Sequence, residues 1–246
     1  MNRNQLKIVA CISMLIDHIG VLLFPQVEIL RWVGRPAMPL FAFFIGEGCR
    51  YTKRRRKYFL TVFLLGLGCQ TVYLIDGLIE HGRLTAHSDA WYLNILLTFS
   101  CAIPMGYCLT DLKQAIKEKN KPGAYQAGAL LLLGLTLAAG VNALFAFLRT
   151  KGASTEFDYG IFGMLLPLTA LLFDGKWPKT AAFAAGTLVF CLCTAGSMPY
   201  VWFSMLAPAL ICLYNGKPGS KKLKYGFYIF YPAHLGLLYL VYLLFF

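Results

Sequence analysis

Four ionisable residues interrupt the long apolar runs of this sequence: Asp17, His18, Arg35 and His234. Ionisable side chains are costly in hydrocarbon, so within membrane-length apolar helices they are candidates for function. A neutral imidazole accepts a proton near neutral pH, and a guanidinium stabilises a developing oxyanion. These residue types therefore predict acid–base chemistry within a membrane, with His18 as the base and Asp17 as the carboxylate that orients or polarises it. Because adjacent helix positions point about 100° apart, an Asp17 that pairs only with Arg35 is the alternative.

The first three of these residues lie on two apolar runs, 6–24 and 29–50, which are joined by a short loop containing Pro25. If the runs form an antiparallel helical hairpin, His18 and Arg35 are equally far from the turn, at a depth of roughly 9 Å. Asp17 is one residue deeper. The hairpin thus predicts that the three side chains meet. A structural Asp17–Arg35 ion pair is the alternative interpretation.

The fourth residue, His234, lies in the last apolar run, 225–246. Counted from the N-terminal end of that run, His234 is roughly 15 Å deep in the membrane at ~1.5 Å per residue. His18 has a similar depth on a helix of the same direction. We therefore expect the two imidazoles to line one cavity, although a histidine that only packs between helices is the alternative.

The composition indicates that membrane-spanning helices carry these residues. Of the 246 residues, 58% are hydrophobic and 14% are charged, whereas soluble domains carry about 25% charged residues. The sequence therefore predicts an all-α, polytopic helical bundle that forms a single integral membrane domain over 1–246. Nine transmembrane spans are predicted, at 6–24, 29–50, 58–79, 91–110, 125–148, 159–173, 179–195, 199–214 and 225–246.

The net charge of +12 comes mostly from loops. Eighteen of the 23 Lys and Arg residues fall in loops on one side of the nine-span map, and this bias predicts a cytoplasmic N-terminus and an external C-terminus. The loops are too short for a nucleic-acid-binding module, so nucleic acid is not an expected partner. The eight cysteines show no metal-ligand spacing, and no metal site is expected.

One cationic segment follows the second run. Arg50, Lys53, Arg54 and Lys57 have the spacing of one helix face, and Glu47 precedes Arg50 by about one turn. The pattern predicts that the second helix continues out of the membrane with a basic stripe. Such a stripe either anchors the chain on anionic membrane lipids or binds the phosphates of a ligand.

Several segments, taken in order, resemble the TraX family: LKIVACISMLIDHIG, RWVGRPAMPLFAFFIGEGCRYTKRRRKY, WYLNILLTF, DYGIFGMLLPL and FYIFYPAHLGLL. The resemblance implies a multi-pass protein of the bacterial cytoplasmic (inner) membrane, of a family linked to N-terminal acetylation of conjugative pilin. It also implies a distant relationship to membrane acyltransferases that carry a functional histidine in their first span. On this resemblance His18 is catalytic, and the other site or scaffold residues are Asp17, Arg35, Glu47, Asn94, Asp158, Tyr159 and His234.

We therefore predict an acyltransferase that moves acetyl from cytosolic acetyl-CoA to an amine or hydroxyl, on a protein N-terminus or a cell-surface glycan. The expected donor-binding residues are Glu47, Arg50, Lys53, Arg54 and Lys57, and the expected substrate-binding residues are Asn94, Asp158 and Tyr159. Two other classes remain open. A proton-coupled transporter or flippase would use the intramembrane Asp, His and Arg residues as a relay, and a non-enzymatic factor would assist the assembly of a surface polymer.

Overall fold

Helices make up most of the chain in the computed structural model, which describes residues 1–81, 91–196, 199–220 and 223–245. The α-helices are α1 (Arg3–Leu22), α2 (Glu28–Gly34), α3 (Ala37–Tyr51), α4 (Arg55–His81), α5 (Ile95–Lys117), α6 (Lys121–Thr150), α7 (Gly160–Thr169), α8 (Lys176–Thr194), α9 (Leu206–Cys212) and α10 (Lys224–Phe245). A 3-10 helix covers Pro199–Met205. Two short strands, β1 (Tyr92–Leu93) and β2 (Glu156–Phe157), pair in parallel. The predicted all-α class is confirmed.

Five described helices are long and apolar enough to cross a membrane, which identifies a membrane protein. They are Arg3–Leu22, Arg55–Ile75, Ile95–Lys117, Lys121–Thr150 and Gly226–Phe245. The segments Gly160–Thr169 and Pro199–Cys212 are apolar but shorter. The predicted count of nine spans is therefore not confirmed, because several of the predicted runs are divided or shortened in the structure.

The second predicted span, 29–50, is one of the divided runs. It consists of α2 and α3, with Arg35 and Pro36 between them. Pro36 has no N–H group, so it cannot donate the helical hydrogen bond to the carbonyl of Trp32. That carbonyl instead lies 3.4 Å from the backbone nitrogen of Arg35. The second helical run consequently has a break at Arg35 and Pro36.

The predicted continuous helix over 50–57 is wrong. Helix α3 ends at Tyr51, and α4 begins at Arg55. A continuous helix would place like charges three and four residues apart along one face, which is unfavourable. The break separates Arg50 from the cationic residues that follow it, so these side chains do not form one helical stripe.

Side-chain capping fixes the starts of two helices, α1 and α5. The side chain of Asn2 accepts a hydrogen bond from the backbone nitrogen of Gln5, and the Gln5 side chain accepts one from the backbone nitrogen of Asn2. This capping box begins α1. Asn94 begins α5 in the same manner, by accepting from the backbone nitrogen of Leu96 at 3.1 Å.

The chain forms two compact units. The first unit contains Met1–Phe44 and Phe173–Phe246, and the second contains Ile45–Leu172. In the first unit α1 packs against α2 and α10, and α8 packs against α9 and the 3-10 helix. In the second unit α5 packs against α4, α6 and α7.

Candidate functional site

Asp17 is the centre of a charged cluster in the first unit. Its carboxylate accepts hydrogen bonds from Arg35, with Nη2 at 2.6 Å from both oxygens and Nε at 3.2 Å from Oδ1. Arg31 donates from Nη1 to Oδ2 at 2.8 Å. The predicted Asp17–Arg35 pair is thus present, and a second guanidinium joins it. We call Asp17, Arg31 and Arg35 the charged cluster.

The local sequence explains this geometry. Arg31 and Arg35 are four residues apart, so at the end of α2 they point to the same side. Gly34 lets α2 approach α1 closely, since an added Cβ there would lie 2.3 Å from Cβ of Asp17. The hydroxyl of Ser13 donates across the same contact, at 2.7 Å from the Val33 carbonyl. Sequence reasoning missed Arg31, although its spacing from Arg35 was the available signal.

The cluster is buried to different degrees along its length. The side chain of Arg35 is 3% exposed, that of Asp17 12% and that of Arg31 19%. Both guanidiniums lie over the ring of Tyr200, at 5.6 Å for Arg31 and 5.3 Å for Arg35. Aromatic faces attract guanidinium groups. Arg35 is therefore the enclosed member of the cluster and Arg31 the accessible one.

His18 is held by its own helix. Its Nδ1 lies 2.8 Å from the carbonyl of Met14. A carbonyl only accepts, so Nδ1 carries the proton, and in the neutral ring Nε2 holds a lone pair. The Asp17 carboxylate turns toward the two arginines and does not hydrogen-bond this ring, since adjacent positions on a helix point about 100° apart. The structure therefore matches the alternative in which Asp17 pairs with Arg35. His18 still lies near enough for electrostatic interaction with the charged cluster.

His234 lies beside His18. The two ring centroids are 5.0 Å apart in an edge-on arrangement, so the predicted proximity of the two imidazoles is confirmed. Nδ1 of His234 lies 2.8 Å from the carbonyl of Phe230, four residues earlier, which again places the proton on Nδ1. Its Nε2 is buried and has no hydrogen-bond partner within the described part of the chain. The two histidines thus share one tautomer, with both Nε2 atoms left to accept protons.

The remaining predicted site residues lie in the second unit. Asn94 is 2% exposed, and its contacts support the fold. Besides capping α5, its amide nitrogen donates to the Gly66 carbonyl at 2.9 Å and to the Gln70 side chain at 3.0 Å. These bonds join the start of α5 to α4.

Asp158 and Tyr159 follow strand β2, and the carboxylate of Asp158 accepts a 2.6 Å hydrogen bond from the hydroxyl of Tyr92. Burial, followed by the negative charge of Asp158, raises the pKa of Tyr92. Tyr159 adopts a left-handed backbone conformation, with φ of 58°. Such a conformation is uncommon for a residue other than glycine and is found at functional sites. The strand ends therefore hold Asp158 and Tyr159 in a defined arrangement.

The predicted donor-binding residues divide into two sets. Glu47 and Arg50 lie on α3, where Glu47 is 3% exposed and Nη2 of Arg50 donates to the Ala170 carbonyl at 3.1 Å. Lys53, Arg54 and Lys57 instead line an open groove of about 700 Å³ at the start of α4. Only the second set presents its charges on an open surface.

The fold and these buried groups define a class: a multi-pass helical membrane protein with a charged cluster and a histidine pair near its first hairpin. The chain belongs to the TraX protein family, whose sequence model matches residues 2–242. It is similar to a probable fimbrial assembly protein, FimC of serogroup H1, from Dichelobacter nodosus. The two are 26% identical over 253 residues, which cover 95% of this chain and 93% of the relative.

A second similarity is local. An uncharacterized protein of Rickettsia prowazekii is 56% identical over 44 residues, which cover 18% of each chain. No solved structure matches. Family membership therefore rests on the sequence match over nearly the whole chain.

Proposed function

We propose that this protein is a membrane-embedded acetyltransferase that takes acetyl from acetyl-CoA in the cytosol. The observation that carries the proposal is the histidine pair. His18 and His234 lie edge to face with ring centroids 5.0 Å apart, and in each ring a backbone carbonyl holds the proton on Nδ1. A neutral imidazole with a fixed tautomer and a lone pair on Nε2 is suited to general-base catalysis near neutral pH.

In the proposed reaction, Nε2 of His18 accepts a proton from the acceptor amine or hydroxyl. The acceptor lone pair forms a bond to the thioester carbonyl carbon, which gives a tetrahedral oxyanion. As this intermediate collapses, the C–S bond breaks and the coenzyme A thiolate leaves. The His18 imidazolium returns the proton to the sulfur, so the products are the acetylated acceptor and free coenzyme A.

The other residues support this step in different ways. His234 assists as the neighbouring imidazole, which lies within reach of proton exchange with His18 through a water molecule or the acceptor. The charged cluster fixes the end of α2 beside α1, and its net positive charge favours an oxyanion that develops nearby. Arg35 contributes through that field, since its Nε and Nη2 atoms already bind Asp17.

We infer separately that Lys53, Arg54 and Lys57 bind the phosphates of the donor. These side chains line one open groove, and cationic side chains form charge-assisted hydrogen bonds with phosphate oxygens. Glu47, which is buried, and Arg50, which donates to the Ala170 carbonyl, are proposed to position the end of α3 next to this segment. Asn94, Asp158 and Tyr159 are proposed to shape the acceptor site through the strand ends that they organise.

The family comparison supports the choice of acceptor. The Dichelobacter nodosus relative is described as a probable fimbrial assembly protein, and fimbriae are built from exported protein subunits. A protein N-terminus is therefore the acceptor that we favour, with a surface glycan as the other candidate. The cytosolic origin of acetyl-CoA and the predicted basic cytoplasmic loops favour the bacterial inner membrane as the location.

The test is mass spectrometry of surface proteins and glycans from cells that express the wild type, His18→Gln or no protein, together with acetyl transfer by purified protein in nanodiscs. We expect His18→Gln to lower transfer by about 10²–10⁴-fold, the usual contribution of a general base. Thr187→Ala is the matched control, because it removes a buried hydroxyl that binds only its own helix at Phe183. Normal transfer by His18→Gln would exclude this base, and no acetylated product from the wild type would exclude the enzyme class.

A further inference from the structure

The charged cluster contains one more positive than negative charge. Asp17 supplies a single carboxylate to Arg31 and Arg35, and buried charges in proteins are usually paired. Glu28, one turn before Arg31, is exposed and makes no ion pair with any described residue. Within the cluster, one carboxylate is thus shared by two guanidiniums.

Arg31 is the member of the cluster with donor groups that bind no described residue. Arg35 uses Nε and Nη2 on Asp17 and is 3% exposed. Arg31 is 19% exposed, and its hydrogen bonds all run from Nη1, to the carboxylate and the backbone carbonyl of Asp17. Its Nε and Nη2 groups donate to no described residue. They form one edge of a guanidinium, the geometry that binds an oxyanion with two parallel hydrogen bonds.

The surroundings hold this edge in place. The Arg31 guanidinium lies over the Tyr200 ring at 5.6 Å, and its Nη1 is fixed by two contacts to Asp17. A guanidinium that is held on two sides loses little conformational freedom when it binds a ligand. Arg31 also lies only three residues after Glu28, the first residue of α2, which is about 5 Å along the helix axis, so a group at the membrane surface can reach it.

We propose that Arg31, supported by Asp17, Arg35 and Tyr200, is a binding site for an oxyanion, a carboxylate or a phosphate, presented at the membrane surface. Two sources have this chemistry: the phosphate of an anionic phospholipid, and an acidic group on the acceptor. The site concerns binding alone, so it stands or fails independently of the proposed acetyl transfer.

The first arm of the test uses inorganic phosphate as the probe. The thermal stability of the detergent-solubilised protein is measured against phosphate concentration, with chloride at matched ionic strength as the reference. We expect Arg31→Gln to weaken the apparent phosphate affinity by at least about tenfold, which corresponds to roughly 1.4 kcal/mol. Arg149→Gln is the matched control, because Arg149 is also an arginine paired with one carboxylate, that of Glu156.

The second arm distinguishes the sources and separates this site from the basic groove. Wild type and Arg31→Gln are compared in nanodiscs of phosphatidylcholine with and without phosphatidylglycerol, and Arg54→Gln is measured in both arms. Stabilisation by phosphatidylglycerol that depends on Arg31 identifies a lipid phosphate. Stabilisation by free phosphate alone identifies a soluble or acceptor-borne oxyanion. If Arg31→Gln responds to both probes as the wild type does, or if Arg54→Gln alone removes the response, the proposed site is wrong.

Discussion

The charged cluster predicts that its two arginines contribute unequally to stability. In Arg35→Ala, Asp17 loses the Nε and Nη2 hydrogen bonds and keeps one carboxylate contact, at 2.8 Å from Arg31. Removing the main partner of a buried charge costs about 3–5 kcal/mol. In Arg31→Ala, Asp17 keeps all of its bonds to Arg35 and loses a partner that is 19% exposed. We expect that loss to cost about 1–2 kcal/mol.

The measurement is the free energy of unfolding in mixed micelles titrated with denaturing detergent, followed by far-ultraviolet circular dichroism. Asp17→Asn removes the carboxylate that both guanidiniums share and should be at least as destabilising as Arg35→Ala. Arg149→Ala, at an exposed ion pair with Glu156, should change stability by less than about 1 kcal/mol. Equal losses for Arg31→Ala and Arg35→Ala, or an Asp17→Asn variant as stable as the wild type, would refute this account of the cluster.

His234→Ala should lower acetyl transfer by roughly tenfold without abolishing it, since it removes the neighbour of the base and not the base itself; transfer at the wild-type rate would exclude a supporting role. Arg54→Glu should raise the KM for acetyl-CoA more than it lowers kcat, the result expected when ground-state binding is lost; an unchanged KM would leave the groove as a membrane anchor. Gly34→Ala should destabilise the protein by about 1–3 kcal/mol, because the added Cβ would lie 2.6 Å from Cα of Asp17. Gly140→Ala is the control and should be neutral or stabilising, because no atom lies within 4 Å of its added Cβ. Equal stability of the two variants would contradict the close contact between α1 and α2.

The sequence by itself determined the class of the protein. Its apolar runs exceed what a soluble core needs, and hydrocarbon admits a polypeptide only where the backbone satisfies its own hydrogen bonds, so the helices follow from composition. The cost of an ionisable side chain in such a helix identified Asp17, His18, Arg35 and His234. Depth counting at a constant rise per residue was sufficient to predict that Arg35 meets Asp17 and that the two histidines are neighbours.

Only the tertiary structure decided the direction in which each side chain points around its helix. Counting residues along a helix gives the depth of a side chain in the membrane but not that direction. Asp17 turns to Arg31 and Arg35, while His18, one position on, is held by Met14. The break at Pro36 and the end of α3 at Tyr51 depend on local hydrogen bonding and charge repulsion. Mean hydropathy over a long segment does not detect such effects of single residues. Side chains at the same depth in the membrane therefore meet only when their helices turn them toward each other. That rotation about the helix axis is set by packing contacts between segments that are distant in sequence.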